Sequence, residues 1–157
     1  MKPSLNTYEI LIEAPFGAVG VRAKGELVTE IALLPPALAR SAKSLNAHHV
    51  STSQIQAYLK NPRAQFNMRH EVAGTPYQRL VWQAISQIPC GEMRTYTELA
   101  QQIGSGPRAV ANACGANPFP LLVPCHRVVA KNGLGGFMQG LEGGLEIKKW
   151  LLAHESK

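Results

Sequence analysis

Three consecutive residues, Cys125, His126 and Arg127, are the clearest candidates for nucleophilic chemistry in this sequence. The thiolate is the reactive form of cysteine, and a nearby imidazole or guanidinium favours it by lowering a thiol pKa that is ordinarily about 8.5. Consecutive side chains on an extended strand point to opposite faces, so His126 reaches Cys125 only if the backbone turns there. Pro124 makes such a turn plausible. The alternative is that Cys125 is a small buried hydrophobic residue.

The other cysteines and the histidines give weaker signals. Cys90 and Cys114 have no basic neighbour, and Cys114 falls in a segment of small residues where packing explains it. Three irregularly spaced cysteines make no disulfide framework. The histidine spacings fit no structural zinc site, and the adjacent His48 and His49 are interpreted as surface residues. All ten acidic residues are glutamate, which excludes sites that require an aspartate, such as an EF-hand loop.

Length and charge limit the class of protein. The chain has 157 residues and a net charge of +6, which suits one domain or two small ones. An excess of basic over acidic residues fits a polyanionic partner such as nucleic acid, although many basic proteins bind no nucleic acid. No apolar run approaches the roughly 20 residues that span a bilayer, and the N-terminus has no apolar signal-peptide core. The sequence therefore predicts a soluble, intracellular protein.

The first part of the chain is predicted to contain a small sheet. β-branched and aromatic residues favour strands over Thr7–Ala14, Gly17–Lys24 and Leu27–Leu34, and the glycine-containing turns between them favour an antiparallel meander. Val50–Lys60 has the pattern of an amphipathic helix that ends before Asn61-Pro62.

The pattern changes from strand to helix around Ala73-Gly74, which predicts two domains, 1–73 and 74–157. Thr75 and Gln78 form a capping box that begins a helix, and Thr95 and Glu98 form a second one. The first of these helices has an apolar stripe that we expect to face the core, formed by Leu80, Val81, Ala84, Ile85 and Ile88.

The short break Gly104–Gly106 and the following Pro107 predict a third helix that runs to about Ala116. Two helices with a tight turn between them suggest a helix-turn-helix, and a plain helical hairpin is the alternative. The third helix has little bulk, which allows close approach to another helix or to a DNA groove, with Arg108 near its start. Its small residues are Ala109, Ala111, Ala113, Gly115 and Ala116.

Past the cysteine, Asn132-Gly133 predicts a turn. The glycine-rich stretch 133–144 is interpreted as a loop or wing. Leu145–Glu155 is predicted to form a closing helix. We expect four of its residues to pack inward: Leu145, Trp150, Leu151 and Leu152.

Several motifs together resemble the O6-alkylguanine-DNA alkyltransferase family. The run 124–128, Pro-Cys-His-Arg-Val, is similar to the active-site motif of that family. Arg108-Ala109-Val110 and Asn117-Pro118 precede it in the family's order, and a terminal Lys-Lys-Trp-Leu-Leu-Ala-His-Glu follows. Gly74–Gln78 and Ile88–Glu92 also match. The resemblance is dense over residues 74–155 and loose before them.

The resemblance implies an α+β fold with two parts. The N-terminal part would be a small α/β support domain of ribonuclease-H-like type, with a three-stranded antiparallel sheet and a helix. The C-terminal part would be a winged-helix-like domain that binds DNA and carries the active site. The implied activity is direct, single-turnover repair of O6-alkylguanine, and of O4-alkylthymine as a further substrate. The implied partner is double-stranded DNA that contains O6-alkylguanine, and the implied protein is a cytoplasmic monomer that needs no cofactor and no metal.

The resemblance also implies roles for single residues. Cys125 would accept the alkyl group, His126 would take its proton through a water, and Glu155 would orient His126. Tyr96 would donate a hydrogen bond to the guanine, and Asn117 would hold the turn before the active-site loop. The implied DNA-binding residues are Arg108, which would fill the gap left by the flipped nucleotide, and Tyr77, Thr97, Ser105, Ala109, Ala111, Ala113 and Lys131. The implied pocket residues are Pro120, Val128, Phe137 and Met138.

Without the resemblance, several of these residues have plainer interpretations. Tyr96 would be a half-buried aromatic residue, Arg108 a solvated charge and Glu155 an exposed carboxylate. Trp82 and Trp150 are interpreted as core residues.

Three other functions remain as alternatives for the chain. An inert sensor would bind alkylguanine without repairing it, but family members of that type replace the cysteine. A winged-helix regulator would use Cys125 to sense oxidants or electrophiles and would protect a specific site on undamaged DNA. A cysteine hydrolase would give the small-residue helix and Arg108 no role.

Overall fold

The computed structural model describes residues 6–140 and 142–157. The chain divides between Glu71 and Val72 into two compact units. In the part of the chain that the structure describes, no helix is long and apolar enough to cross a membrane. The sequence suggests a supporting role for residues 1–73 and an alkyl-transfer role for residues 74–157. Both roles stay predictions.

The first unit is built on a three-stranded antiparallel sheet, as predicted. Its strands are β2 (Ile10–Ala14), β3 (Gly17–Lys24) and β4 (Leu27–Leu34), in that order across the sheet. The turn into β3 requires glycine at residue 17, because a Cβ there would lie 2.0 Å from the Leu34 carbonyl oxygen. The alternating apolar side chains of the sheet form a buried face.

The predicted first strand is interrupted. Its first two residues form β1 (Thr7–Tyr8), which pairs in parallel with β5 (Lys43–Ser44) and not with the meander. Between β1 and β2, the Glu9 carboxylate accepts a hydrogen bond from the backbone N–H of Ala23 at 3.1 Å. Strand propensity depends on neighbouring residues and does not predict such an interruption. The interruption is determined by the pairing of β1 with β5, a distant segment.

Two helices complete the first unit: α1 (Pro36–Ser41) and α2 (Val50–Lys60). The boundaries of α2 are those predicted, and it buries Ile55 completely. The residue before it, His49, is half-buried rather than a surface residue, because its Nδ1 caps the helix by accepting a hydrogen bond from the Ser51 N–H at 3.0 Å.

The second unit contains three packed helices: α3 (Pro76–Ser86), α4 (Tyr96–Ile103) and α5 (Pro107–Gly115). The predicted capping box of α3 is confirmed. Thr75 Oγ1 accepts a hydrogen bond from the Gln78 N–H at 3.1 Å, and Gln78 Oε1 accepts one from the Thr75 N–H at 2.9 Å. These two backbone N–H groups have no acceptor within the helix, and the capping box supplies one for each.

The start and end of α4 also follow the sequence prediction. Thr95 and Glu98 exchange the two hydrogen bonds of a capping box, at 3.0 Å each. Gly104 ends the helix at a φ of 70°, a left-handed conformation that glycine adopts most easily. In the short connection to α5, the Tyr77 and Ser105 hydroxyls lie 2.6 Å apart, which ties this turn to α3.

The small residues of α5 allow close packing against α3. The Trp82 indole N–H donates to the Ala113 carbonyl at 2.8 Å, and both residues are buried. Ala113 is only 2% exposed, so its assignment to the DNA-binding surface was wrong. Leu80 was also predicted to be buried, but it is 46% exposed because it lies beside the buried stripe of α3.

The C-terminal part joins a short parallel pair to a final helix. Strand β6 (Arg94–Thr95) pairs with β7 (Val128–Val129), and the chain closes with α6 (Gly144–Glu155). Within the predicted glycine-rich loop, Met138–Gly140 forms a short 3₁₀ helix.

The inward face of α6 differs from the one predicted. Leu151 is fully buried, but Leu145 is 44% exposed and Leu152 is half-buried. Trp150 is half-buried and stacks on the His154 ring with 4.6 Å between ring centroids. The buried face is formed by Gly144, Ile147, Lys148, Leu151, His154 and Glu155.

Candidate active site

A single turn of 3₁₀ helix, Cys125–Arg127, carries the predicted nucleophile. The Cys125 N–H donates to the Val123 carbonyl at 2.8 Å, and the Arg127 N–H donates to the Pro124 carbonyl at 2.9 Å. The backbone therefore turns at Pro124, as His126 would need in order to approach the sulfur. Cys125 is 6% exposed, and it lines a cavity.

The Asn117 side chain links the end of α5 to this turn. Its Nδ2 donates to the Val123 carbonyl at 2.9 Å and lies 2.7 Å from the Cys125 sulfur. Its Oδ1 accepts the Phe119 N–H at 2.9 Å. One amide thus fixes the backbone on both sides of the loop and directs an N–H at the nucleophile, where it stabilises negative charge on sulfur.

The His126 imidazole forms part of a buried ionic network. Its Nε2 lies 2.9 Å from Glu155 Oε2, and both side chains are at most 2% exposed. Arg127 holds the same carboxylate with two bonds, Nε to Oε1 at 2.8 Å and Nη2 to Oε2 at 2.9 Å. Because a carboxylate only accepts, we assign the imidazole proton to Nε2, which leaves the Nδ1 lone pair as the base.

Burial keeps two groups of the resting site uncharged, the Cys125 thiol and the His126 imidazole. Burial lowers the pKa of His126, although the Glu155 carboxylate opposes that shift. The hydrogen bond with Cys114 and the burial of the sulfur raise the pKa of the Cys125 thiol. The site therefore holds a thiol and a neutral imidazole, and it needs a proton transfer to generate its nucleophile.

Cys114 is a member of the site that the sequence analysis left as a packing residue. It lines the same cavity as Cys125, and the Cys125 sulfur lies 3.7 Å from the Cys114 carbonyl oxygen. Nothing in the spacing of the two cysteines indicates this, because the contact forms only when the loop after α5 folds back. None of the three cysteines, Cys90, Cys114 and Cys125, is in a disulfide in the described residues.

The cavity in front of Cys125 has a volume of about 300 Å³. Its walls come from α4, α5, the turn after α5 and the loop before α6. Of the predicted pocket residues, Val128 is not among those that line it: its side chain is fully buried. The lining residues are Tyr96, Ala111, Cys114, Gly115, Asn117, Pro120, Cys125, Gly136, Phe137, Met138 and Gly140.

Tyr96 lies against the glycine-rich wall of the cavity. Its hydroxyl donates to the Gly136 carbonyl at 3.3 Å. At Gly135, which has a φ of 74°, a Cβ would lie 2.8 Å from the tyrosine ring, so glycine permits this contact. Burial, followed by the nearby cysteines, raises the pKa of Tyr96 to about 12. The phenol therefore remains a hydrogen-bond donor at neutral pH.

Lys148 is a buried cation that the sequence analysis did not single out. Its side chain is 0% exposed, and its Nζ donates to three backbone carbonyls near the cavity. A signal was present, since Lys148 falls between Ile147 and Leu151 on the apolar face of α6. A lysine on such a face usually extends to solvent, so the pattern alone does not indicate burial.

The predicted DNA-binding residues differ in exposure. Arg108, Thr97 and Lys131 are exposed, and the bonded pair Tyr77 and Ser105 is half-buried. Ala109 and Ala111 of α5 are also half-buried. No group of three or more metal-binding side chains occurs in residues 6–140 and 142–157.

Replacing Asn117 with alanine is expected to slow Cys125 alkylation. The change removes the N–H that faces the sulfur, takes one of two donors from the Val123 carbonyl and removes the Asn117 acceptor of the Phe119 N–H, and a buried donor that loses its acceptor costs about 1–3 kcal/mol. Iodoacetamide labelling followed by mass spectrometry measures thiol reactivity, and urea titration measures the free energy of unfolding. The matched control is Asn112→Ala, on the exposed side of α5. Equal labelling rates for the two variants would contradict this role.

Comparison with known proteins identifies a matching family and several relatives. The sequence model described as 6-O-methylguanine DNA methyltransferase, DNA binding domain, matches residues 76–157. The chain is 52% identical over 110 residues to a probable methylated-DNA–protein-cysteine methyltransferase of Acanthamoeba polyphaga mimivirus, covering 68% of this chain and 71% of that one. It is 33% identical to a methylated-DNA–protein-cysteine methyltransferase of Mycolicibacterium paratuberculosis, covering 93% of this chain and 90% of that one.

Solved structures give the same result for the fold. The Mycobacterium tuberculosis protein crystallised in complex with DNA superposes with a TM-score of 0.78 at 34% identity, covering 93% of this chain and 91% of that one. The O6-methylguanine-DNA methyltransferase of Pyrococcus kodakaraensis superposes with a TM-score of 0.73 at 27% identity, covering 94% and 98% of the two chains.

Proposed function

This chain belongs to the 6-O-methylguanine DNA methyltransferase family, and we propose that it repairs duplex DNA by moving the alkyl group of O6-alkylguanine irreversibly onto Cys125. The observation that carries the proposal is the position of the Cys125 sulfur: it lines a cavity, 2.7 Å from the Asn117 amide nitrogen, and the next residue in the same turn is the His126 of the Glu155 network.

The proposed reaction is a displacement at carbon. The Cys125 sulfur forms a bond to the alkyl carbon as the bond from that carbon to O6 breaks, and guanine leaves with the electron pair. A soft sulfur nucleophile suits a saturated carbon, and the thioether product has no easy route to hydrolysis. Each protein molecule therefore acts once. O4-alkylthymine has the same alkyl–oxygen bond and is a second candidate substrate.

Proton transfer begins at the thiol. The Cys125 proton passes through a water to His126 Nδ1, and the imidazolium that forms is stabilised by the Glu155 carboxylate at 2.9 Å. Arg127 holds that carboxylate through both of its oxygens, so its orientation is fixed. The absence of aspartate from the sequence is no obstacle, because glutamate supplies the third group.

Tyr96 acts on the leaving base. Negative charge develops on guanine as the alkyl group departs, and a phenol with a pKa of about 12 donates a hydrogen bond to it without ionising. Since the hydroxyl bonds the Gly136 carbonyl in this structure, it must exchange that partner for the base when guanine enters.

The target base must leave the helix to reach this site. Cys125 is only 6% exposed, so an alkyl carbon inside a stacked duplex cannot approach it, and the nucleotide has to be flipped. The proposed DNA surface is the exposed part of the α4–α5 pair, where half-buried Ala109 and Ala111 permit close approach and the exposed Arg108 enters the stack.

Replacing Arg108 with alanine is expected to slow repair of duplex DNA about 10–100-fold, because unstacking costs a few kcal/mol that the inserted side chain offsets. The same variant should react normally with free O6-benzylguanine, which needs no flipping. Arg40→Ala is the matched control, since it also removes an exposed arginine charge, from α1. Equal loss in both Arg108→Ala reactions would show that Arg108 acts on the pocket and would contradict a flipping role.

A winged-helix regulator that uses Cys125 as a sensor would also bind DNA, so a binding measurement alone does not distinguish it from a repair protein. Footprinting on undamaged DNA separates the two functions, because a regulator protects a specific site and a repair protein protects none. The direct test of repair is to digest an O6-methylguanine duplex after incubation and to measure restored guanine. Restored guanine in proportion to added protein supports the proposal, and unchanged lesion with tight binding would point to the sensor.

A further inference from the structure

We propose that Lys148 is a positioning residue that holds the loop 134–138, called here the pocket loop, in place while Tyr96 changes its hydrogen-bond partner. This inference rests on the proposed alkyl transfer. Lys148 does not touch the reacting atoms in the proposed reaction. It acts through the backbone of the pocket loop and through the position of Tyr96.

The contacts of Lys148 join three segments. Its Nζ donates to the Val128 carbonyl of β7 at 2.8 Å and, on the pocket loop, to the Leu134 carbonyl at 2.5 Å and the Gly136 carbonyl at 3.0 Å. An ammonium has three donors, and all three find an acceptor here. Lys148 itself lies on α6, so its hydrogen bonds link the pocket loop to both β7 and α6.

Gly136 connects this arrangement to the chemistry. Its carbonyl accepts from both Lys148 and the Tyr96 hydroxyl, the latter at 3.3 Å. When Tyr96 turns its hydroxyl to an incoming base, Lys148 still satisfies that carbonyl. The loop therefore loses one bond and keeps its position, which preserves the cavity wall formed by Gly136, Phe137 and Met138.

The aromatic rings of the cavity also lie around the ammonium. Lys148 Nζ is 5.9 Å from the centroid of the Tyr96 ring and 5.8 Å from that of Phe137. A cation near ring faces is attracted to them. A buried charge without such partners would be costly, so the three carbonyls and the two rings make this site suitable for an ammonium.

Lys148 also gives the site a pH dependence. The titratable groups that face it are Tyr96 of α4, Cys114 of α5, and Cys125 and His126 of the active-site turn. Burial lowers the pKa of Lys148 to about 8, and the two cysteines oppose that shift. As pH rises through this value the ammonium becomes an amine with two N–H donors, and one of the three carbonyls loses its hydrogen bond from Lys148.

The test compares Lys148→Met with Lys149→Met, whose lysine is exposed on the same helix. Two rates are measured for Cys125: alkyl transfer from an O6-methylguanine duplex, and labelling by iodoacetamide, which needs no guanine pocket. We expect Lys148→Met to slow transfer about 100-fold, as misplaced reacting groups do, and to slow labelling far less. Lys149→Met should match the wild type in both reactions.

The pH profile of alkyl transfer is a second measurement. It is made on the wild-type protein, so it tests the inference even if Lys148→Met fails to fold. Wild-type transfer should decline above about pH 8 while iodoacetamide labelling keeps rising, because a thiolate forms more readily at high pH. Lys148→Arg, which stays charged, should keep its transfer rate above that pH.

Separate results would overturn the inference and the proposed function. Equal losses of transfer and labelling in Lys148→Met would mean that the lysine acts through its charge on the sulfur, and this would overturn the positioning role. A wild-type transfer rate that rises in parallel with labelling above about pH 8 would also overturn it. Absence of transfer by the wild-type protein at every pH would instead overturn the proposed function.

Discussion

Replacing Cys125 with serine is expected to abolish alkyl transfer and to leave lesion binding intact. The serine hydroxyl fits the buried site and still accepts a hydrogen bond from the Asn117 amide, which lies 2.7 Å from the sulfur. It is a far poorer nucleophile toward saturated carbon than a thiolate, and loss of a catalytic nucleophile costs about 10⁴–10⁶-fold in rate. Single-turnover repair of a labelled O6-methylguanine duplex measures the rate, and a gel-shift titration measures binding.

Cys90→Ser is the matched control for this variant. Cys90 is half-buried, is in no disulfide and does not line the cavity, so its replacement should leave both repair and binding unchanged. Repair by Cys125→Ser at a rate within about tenfold of the wild type would show that another residue accepts the alkyl group. Cys114, which lines the same cavity, would then be the first alternative to examine.

Replacing Glu155 with glutamine is expected to weaken both the fold and the reaction. Glu155 accepts hydrogen bonds from His126 and Arg127 while it is 1% exposed. Glutamine removes the charge and turns an NH₂ group toward one of these donors. Loss of one partner of a buried ion pair costs about 3–5 kcal/mol in the free energy of unfolding. Loss of the group that stabilises the imidazolium should slow transfer about 10²–10⁴-fold.

Glu146→Gln on the same helix is the control, because Glu146 is exposed in the first turn of α6. Urea titration gives the free energy of unfolding for both variants, and the single-turnover assay gives the rate under conditions where each is folded. A folded Glu155→Gln protein with the wild-type rate would contradict the proposed role of His126 as the base that Glu155 supports.

Features that depend on neighbouring residues in the chain were predictable from the sequence. Thr75 and Gln78 determine where α3 begins because their exchange of hydrogen bonds is local. The three strands of the meander follow from β-branched runs separated by glycine-containing turns. Cys125 was identifiable because its basic neighbours and the proline before it are adjacent in sequence.

Features that depend on contacts between distant segments were not predictable from pattern alone. Glu155 has the plain interpretation of an exposed terminal carboxylate, but packing of α6 places it between His126 and Arg127. Lys148 has the pattern of a surface lysine, but the pocket loop supplies carbonyls that accept its charge. Ala113 fits a groove-facing stripe by composition, but Trp82 covers it.

Alkyl transfer to Cys125 is tested most directly by intact-mass spectrometry of the protein after incubation with an excess of duplex DNA that carries one O6-methylguanine. Single-turnover transfer to Cys125 predicts that every chain gains the mass of one added methyl group and no more, that peptide mapping places it on Cys125, and that the repaired DNA equals the protein in amount. A gain on another residue, a mass that stays unchanged while lesions disappear, or repair of many lesions per chain would contradict it.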